Sequence, residues 1–172
     1  MSKQTPSIAI LGAGIGGLAV SACLRKFGIE TTIYEQAPAF ARIGAGIQVS
    51  PNAMRVLYGI GIGDQIRATA FEPPHWRNRD HDTGDLTNDH PLGPDAYDRY
   101  GVPYLLMHRG DLHAALHGAV PDEMIRYNHK VGKIEQSDSG VTLTFENGET
   151  VMVDALIASD GVHSIARQSL LG

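Results

Sequence analysis

The stretch Gly12-Ala13-Gly14-Ile15-Gly16-Gly17 is the part of this sequence best suited to chemistry. Gly12, Gly14 and Gly17 stand at the spacing Gly-x-Gly-x-x-Gly. At that spacing the first glycine permits a tight turn out of a strand. The second lets backbone approach a pyrophosphate, and the third lets the following helix lie close against the strand. A helix that starts here aims unsatisfied N–H groups and its positive dipole end at a bound phosphate. Glu35 follows where a second strand should end, a position from which a carboxylate accepts hydrogen bonds from an adenosine ribose, and Gln36 stands beside it. Such a cradle reads ADP, which NAD and FAD both carry, so by itself it leaves that choice open.

Three further groups invite the same question. Gly44-Ala45-Gly46 lacks the phosphate-loop spacing and should open no helix. Its small residues suit either a backbone pressed against a flat ligand or a flexible loop. Arg42 is a candidate second cation for a pyrophosphate. Arg109 and Asp160 each read as the end of an apolar strand, with a helix beginning at Leu112 after the first. Ligands in open α/β sheets bind outside the carboxyl ends of strands, so both residues are expected at one crevice. Gly161 removes a side chain where a ligand would crowd the turn, and Ser164 is placed to cap a closing helix. The plain alternative for Asp160 is a local turn cap. His113 and His117 have i, i+4 spacing but no acidic third ligand nearby, and no metal site is expected. Cys23, Trp76, Arg77 and Tyr104 read as packing residues rather than reactive ones.

These residues need elements to position them. Ser7–Leu11 reads as a buried strand, Ile15–Phe27 as a helix ended by Gly28, and Thr31–Glu35 as a second strand. Strand–helix–strand implies parallel pairing. Ser50 and Pro51 open a helix over Pro51–Tyr58. From Phe71 to Tyr104 prolines, glycines and aspartates cluster, and "RDHDTGDL" reads as a turn between two extended pieces. Tyr104–His108 resumes a strand and Asp111–Ala119 a helix. Met124–Ser159 reads as successive strands, with "SDSG" and "NG" as turns.

The chain of 172 residues is long enough for a domain with a real core. Its apolar share of 42% and charged share of 19% mark an ordinary globular protein. A formal charge of −5 argues against a nucleic-acid partner. The single cysteine, Cys23, excludes a disulfide framework and fits a cytoplasmic protein. Ser7–Leu24 is free of charge, yet its glycines argue against membrane insertion.

Taken in order, Gly12-x-Gly14-x-x-Gly17, Glu35, Arg42-x-Gly44-Ala45-Gly46-Ile47, Arg109-x-x-Leu112 and Asp160-Gly161-x-His163-Ser164-x-x-Arg167 resemble the single-component FAD-dependent aromatic hydroxylases. The resemblance covers nearly the whole chain. It implies an α/β fold: a Rossmann-like FAD-binding domain with a parallel sheet and an antiparallel β-meander, plus the start of a substrate-domain excursion. The expected division is residues 1–70 and 105–172 for the FAD-binding domain and 71–104 for the excursion. In the family the activity is hydroxylation of an aromatic or N-heteroaromatic ring, hydroxynicotinate- or salicylate-like, with NAD(P)H and O2 as co-substrates and a flavin C4a-hydroperoxide as oxidant. The resemblance gives the FAD pyrophosphate to the first glycine loop and the adenosine ribose to Glu35. Arg42 and Arg109 would face the phosphates and ribityl chain. Gly44, Ala45, Gly46, Ile47 and Gln48 would lie near the isoalloxazine, Val131 would touch adenine through its backbone, and Asp160-Gly161 would serve the flavin. The sequence departs from the family pattern at two places. Ala158-Ser159 stands where Gly-Ala is usual. Gln48 stands in place of a histidine, and an amide orients a substrate but cannot act as a base, so no catalytic base is identified. The family extends well past residue 172, so the chain is expected to be an N-terminal part without hydroxylase turnover of its own. The rival readings are another flavoprotein, a reductase or epoxidase, and a nucleotide-binding module without turnover.

Overall fold

The computed structural model describes residues 5–42 and 44–172. Among them, β1 (Ile8–Leu11) is one of the two inner strands of a parallel sheet. Its order is β11 (Ala155–Ala158), β1, β2 (Thr32–Tyr34), β7 (Ile125–Arg126). The register sets Ile8 against Ala155 and Ala9 against Thr32. Ala9 and Ile10 are fully buried, as the unbroken apolar run Ile8–Leu11 requires of a strand covered on both faces.

Helix α1 (Ile15–Lys26) follows β1 and buries Gly17, Leu18, Ser21 and Ala22, the one-sided stripe of a helix lying on a sheet. Ser21 is the polar member of that stripe, and its hydroxyl shares a buried 2.8 Å hydrogen bond with the Thr31 hydroxyl just before β2. Gly28, at φ 72°, ends the helix by donating its N–H to Arg25 O.

An antiparallel meander of β8 (Val131–Ser137), β9 (Gly140–Phe145) and β10 (Thr150–Val153) packs beside this sheet. Leu143, Phe145 and Val153 from the meander join Ala9, Leu11, Tyr34 and Ala166 in one core cluster. Each large apolar side chain buried there stabilises the fold by about 2 kcal/mol. Helix α6 (Ile165–Leu171) closes the segment. Ser164 caps it as expected, its hydroxyl oxygen accepting the Arg167 N–H.

The contacts divide the chain into two compact units. One holds the residues up to Ala41 and from Leu116 onward, and the other is Arg42–Ala115. The expected excursion over 71–104 lies within the second unit. That unit pairs β3 (Gly46–Val49) antiparallel with β6 (Leu105–His108) and adds α2 (Pro51–Gly59) and α3 (Gly63–Thr69). Val49, Met54, Leu57, Ile66 and Leu105 are buried there. Two extended pieces do flank the "RDHDTGDL" turn, as β4 (His75–Arg79) and β5 (Leu86–Pro91), and every residue of both is exposed. Helix α4 (Pro94–Tyr100) follows. Helix α5 (Arg109–His117) starts two residues before its expected Asp111 and carries the chain back into the first unit. No described helix is long and apolar enough to cross a membrane.

Candidate functional site

The carboxyl ends of β1, β2 and β11 converge. Gly12 N–H donates to Tyr34 O at 2.8 Å, and Ser159 N–H donates to Leu11 O at 2.9 Å. The first glycine loop leaves β1 at this point. Gly12 adopts φ 92°, and a Cβ on it would meet Ser159 O at 2.6 Å. A Cβ on Gly17 would meet Gly12 O at 1.9 Å, so the helix sits on the turn as the spacing predicts. Gly14 differs from both, since nothing lies within 4 Å of where its Cβ would stand. Helix α1 begins there with neither an acidic first turn nor a side-chain cap. Its first intrahelical donor is Leu18, to Gly14 O at 3.0 Å. The preceding N–H groups of Ile15, Gly16 and Gly17 are the orphan donors of a helix start, and with the dipole they favour an anion.

Glu35 lies just past β2. Its carboxylate accepts the Ala13 N–H at 2.7 Å and the Ala37 N–H at 2.8 Å. One oxygen thus ties the acid to the glycine loop and the other fixes the chain beyond it. A carboxylate has about four lone-pair sites, so its two oxygens retain capacity for further donors. Glu35 and Gln36 line a cleft of about 520 Å³ with Gly12, Gly14, Val131, Asp160 and Gly161. His129, Lys130, Glu146 and His163 line it too. The sequence offers no spacing rule that singles these out, because they come from separate turns of the meander and from the approach to α6. Burial, and next the negative charge of Glu149, raise the Tyr34 phenol above its ordinary range, partly opposed by Arg126. Burial does the same for Tyr127, helped by Asp122 and Glu35. Both phenols stay neutral.

Asp160 lies two residues beyond the end of β11. Its carboxylate accepts the Ser164 hydroxyl at 2.6 Å and the Ala166 N–H at 3.2 Å. The plain alternative, a local cap, is therefore what its present bonds express. The same bonds fix the turn at the cleft. A larger recess of about 820 Å³ lies on the other side of Ser159–Gly161, against α6. It lacks the glycine loop and Glu35.

The second unit gathers Arg42, Gly44, Arg109 and Asp111 around the start of α5. Arg109 does not end a strand but is the first residue of that helix, and Leu112 is buried inside it. The strand stops at His108, whose ring accepts the Gly110 N–H at 3.1 Å. The crevice rule does not reach Arg109 either, because β6 belongs to a two-stranded antiparallel sheet. Arg109 donates its backbone N–H to Ala45 O. A Cβ on Gly44 would meet its stem at 2.8 Å. Arg42, the expected phosphate cation, forms an exposed ion pair with Asp111. Gly46 and Gln48 are exposed on β3, with Ile47 half-buried between them. His117 bonds Tyr127 Oη through Nε2 at 2.7 Å. Among the described residues the one cluster with metal-ligating geometry is Asp80, His81 and Asp82, on the exposed turn before β5.

Comparison with known proteins adds to this geometry. The sequence pattern of the FAD binding domain family matches residues 5–171. The 6-hydroxynicotinate 3-monooxygenase of Pseudomonas fluorescens is 43% identical over 170 residues, which is 99% of this chain and 44% of that protein. The 3-hydroxybenzoate 6-hydroxylase of Polaromonas naphthalenivorans is 34% identical over 168 residues, 96% of this chain and 42% of that protein. Among solved structures, HpxO of Klebsiella pneumoniae, complexed with FAD and uric acid, superposes with a TM-score of 0.82 at 29% identity. The match covers 95% of this chain and 41% of that one. The chain thus spans less than half the length of these relatives.

Proposed function

Since this chain belongs to the FAD binding domain family, we propose that its cleft holds the ADP part of FAD and serves hydroxylation of an aromatic or N-heteroaromatic ring. The observation that carries the reading is the open space at Gly14, at the start of α1, between Gly12 and Gly17, which backbone contacts hold as glycine. That space lies beside the orphan N–H groups of the helix start, where it supports the close approach of a pyrophosphate.

In this reading the orphan N–H groups of the first turn of α1 bind the pyrophosphate, with Gly14 letting it approach. Glu35 accepts the ribose hydroxyls. Val131 and Gly132 supply the wall for adenine. Asp160, held by Ser164 and the Ala166 N–H, presents its turn to the rest of the cofactor. Arg42 and Arg109 are assigned to the phosphates and ribityl chain, and Gly44–Gln48 to the ring system. When bound, FAD supplies the redox chemistry, with NAD(P)H as reductant and O2 as oxidant, and the protein positions it. The similarity to enzymes named for hydroxynicotinate and hydroxybenzoate supports a small aromatic carboxylate as substrate.

Gly14→Ala tests the reading. At φ −74° and with open space before it, an alanine there should shift stability by no more than about 0.5 kcal/mol. It should weaken FAD and ADP at least about tenfold, the loss of one close contact. Fluorescence titration with FAD and thermal melting read the two effects. Unchanged FAD affinity in a folded variant would sink the assignment.

A further inference from the structure

His129 is used by nothing described so far, yet it is built into the cleft from several sides. Its backbone N–H donates to Glu35 O at 2.8 Å, and the preceding Asn128, at φ 60°, donates to Ala37 O at 3.0 Å. These two bonds zip the segment before β8 to the chain that carries Glu35. The ring is only 15% exposed. It lies edge-on to Phe145 at 5.0 Å and tilted over Tyr34 at 5.4 Å. Nδ1 is 2.6 Å from the Tyr127 carbonyl, and Nε2 is 2.8 Å from a Glu149 carboxylate oxygen. A carbonyl and a carboxylate only accept, so each nitrogen must donate for both bonds to exist, and only the imidazolium has two N–H groups. In the neutral ring one proton remains. Whichever nitrogen keeps it, either Tyr127 or Glu149 loses its donor.

The charged and titratable groups facing this ring come from each neighbouring element. Tyr34 faces it from β2 and Glu149 from the turn before β10, while the Lys130–Glu146 pair, 2.8 Å apart, joins the segment before β8 to the end of β9. Tyr127 faces it from its own strand end. Arg126 acts on Tyr34, and Asp122 and Glu35 act on Tyr127.

We propose that His129 is a positioning residue: its imidazolium, bonded through both nitrogens, ties the segment leading into the Lys130–Gly132 wall to the Tyr127 carbonyl and to Glu149 in the β9–β10 turn, so that dinucleotide affinity falls when the ring loses its second proton. The inference rests on the reading of this cleft as the FAD site. The sign follows from the bonds. Protonated His129 makes both, the wall is fixed, and the ligand meets a formed surface. Deprotonation frees one end of the clamp, and binding must then order it.

The test measures FAD and ADP dissociation constants for the full chain, His129→Gln and Glu149→Gln at about pH 5.5 and about pH 8.5, which bracket histidine titration. Unaltered protein should bind about tenfold more weakly at the higher pH, the scale of one lost charged hydrogen bond. His129→Gln should bind weakly at the lower pH; Glu149→Gln, whose amide accepts from the charged ring or donates to the neutral one, should keep its affinity, and both should lose the dependence. Ligand-free NMR gives an independent reading. Both ring N–H protons of His129 should be exchange-protected at the lower pH and one at the higher, with exposed His81 as the unprotected reference. FAD binding that ignores pH, or variants that keep the full pH slope, would overturn the clamp while leaving the FAD reading intact. Failure of the unaltered chain to bind FAD at either pH would instead strike the FAD reading, and the NMR signals would still decide whether the double bond exists. If the variants do not fold, the same signals decide it: no protected pair at the lower pH refutes the clamp.

Discussion

Two glycine clusters that look alike in the sequence, Gly12–Gly17 and Gly44–Gly46, are built for different reasons. In the first, backbone stands where the side chains would go: Gly12 O at 1.9 Å from a Cβ on Gly17, and Ser159 O at 2.6 Å from one on Gly12. Backbone cannot step aside. In the second, Gly44 yields to the stem of Arg109, and Gly46 meets nothing within 4 Å. In the first cluster, backbone sets the need for glycine at Gly12, through Ser159 beyond β11, and at Gly17, through Gly12 itself. The second takes its form from one long side chain. Glycine content therefore says little until the neighbouring atom is known.

Substitutions can break this comparison or sharpen it. The largest effect should come from Gly17→Ala. It drives a methyl into the Gly12 carbonyl and should cost about 3 kcal/mol or more in urea unfolding, the upper range for overpacking. A loss below about 1 kcal/mol would mean that α1 can slide off the turn. Next comes Glu35→Ala, which removes the carboxylate that accepts the Ala13 and Ala37 N–H groups. About 2 kcal/mol of stability should go, with FAD affinity falling alongside. Stability lost without affinity would make Glu35 a scaffold residue only. In the second unit, Arg42→Ala removes an ion pair with a 60% exposed arginine, and screening limits the stability cost to about 0.5 kcal/mol. A larger loss would show that this cluster is as tightly held as the first. Gly46→Ala should do least. The added methyl enters open space in a strand, and thermal melting should move by about a degree or not at all.

The sequence shows best what is decided locally. Ile8–Leu11, the glycine loop, α1 and β2 could be read residue by residue, because an apolar run, a turn signal and a capping glycine each act within a few positions. Helix α4 was hidden by its own caps. Gly93, Pro94 and Gly101 bracket it, yet among so many prolines and aspartates they read as loop. Helix α3 holds on through Ile62 and Ile66, whose burial comes from tertiary packing. Arg109 read as the end of a strand because the apolar run into His108 gives no sign of where pairing with Gly46 stops. Of the cleft, the glycines, Glu35, Val131 and Asp160 were legible. His129 was not, since its partners Glu35, Tyr34 and Glu149 are remote in sequence and no motif marks such a meeting. Asp160 shows a different limit: its type and place were readable, but its bonds to Ser164 and Ala166 depend on how α6 begins.

The pairing of β1 with β11 sets Ile8 beside Ala155, and Ser7 donates from both its backbone N–H and its hydroxyl to Asp154, 147 residues away. During synthesis β1 emerges well before β11, its partner on one side, with the entire second unit made in between. Ser159, which presses on Gly12, arrives later still. A nascent chain therefore has its phosphate loop long before it has the wall that shapes it. Closing so distant a contact is slow, and in the interval an apolar strand edge stands open to wrong partners. The step most exposed to chaperones and to misassembly is thus the docking of Ala155–Ala158 against β1.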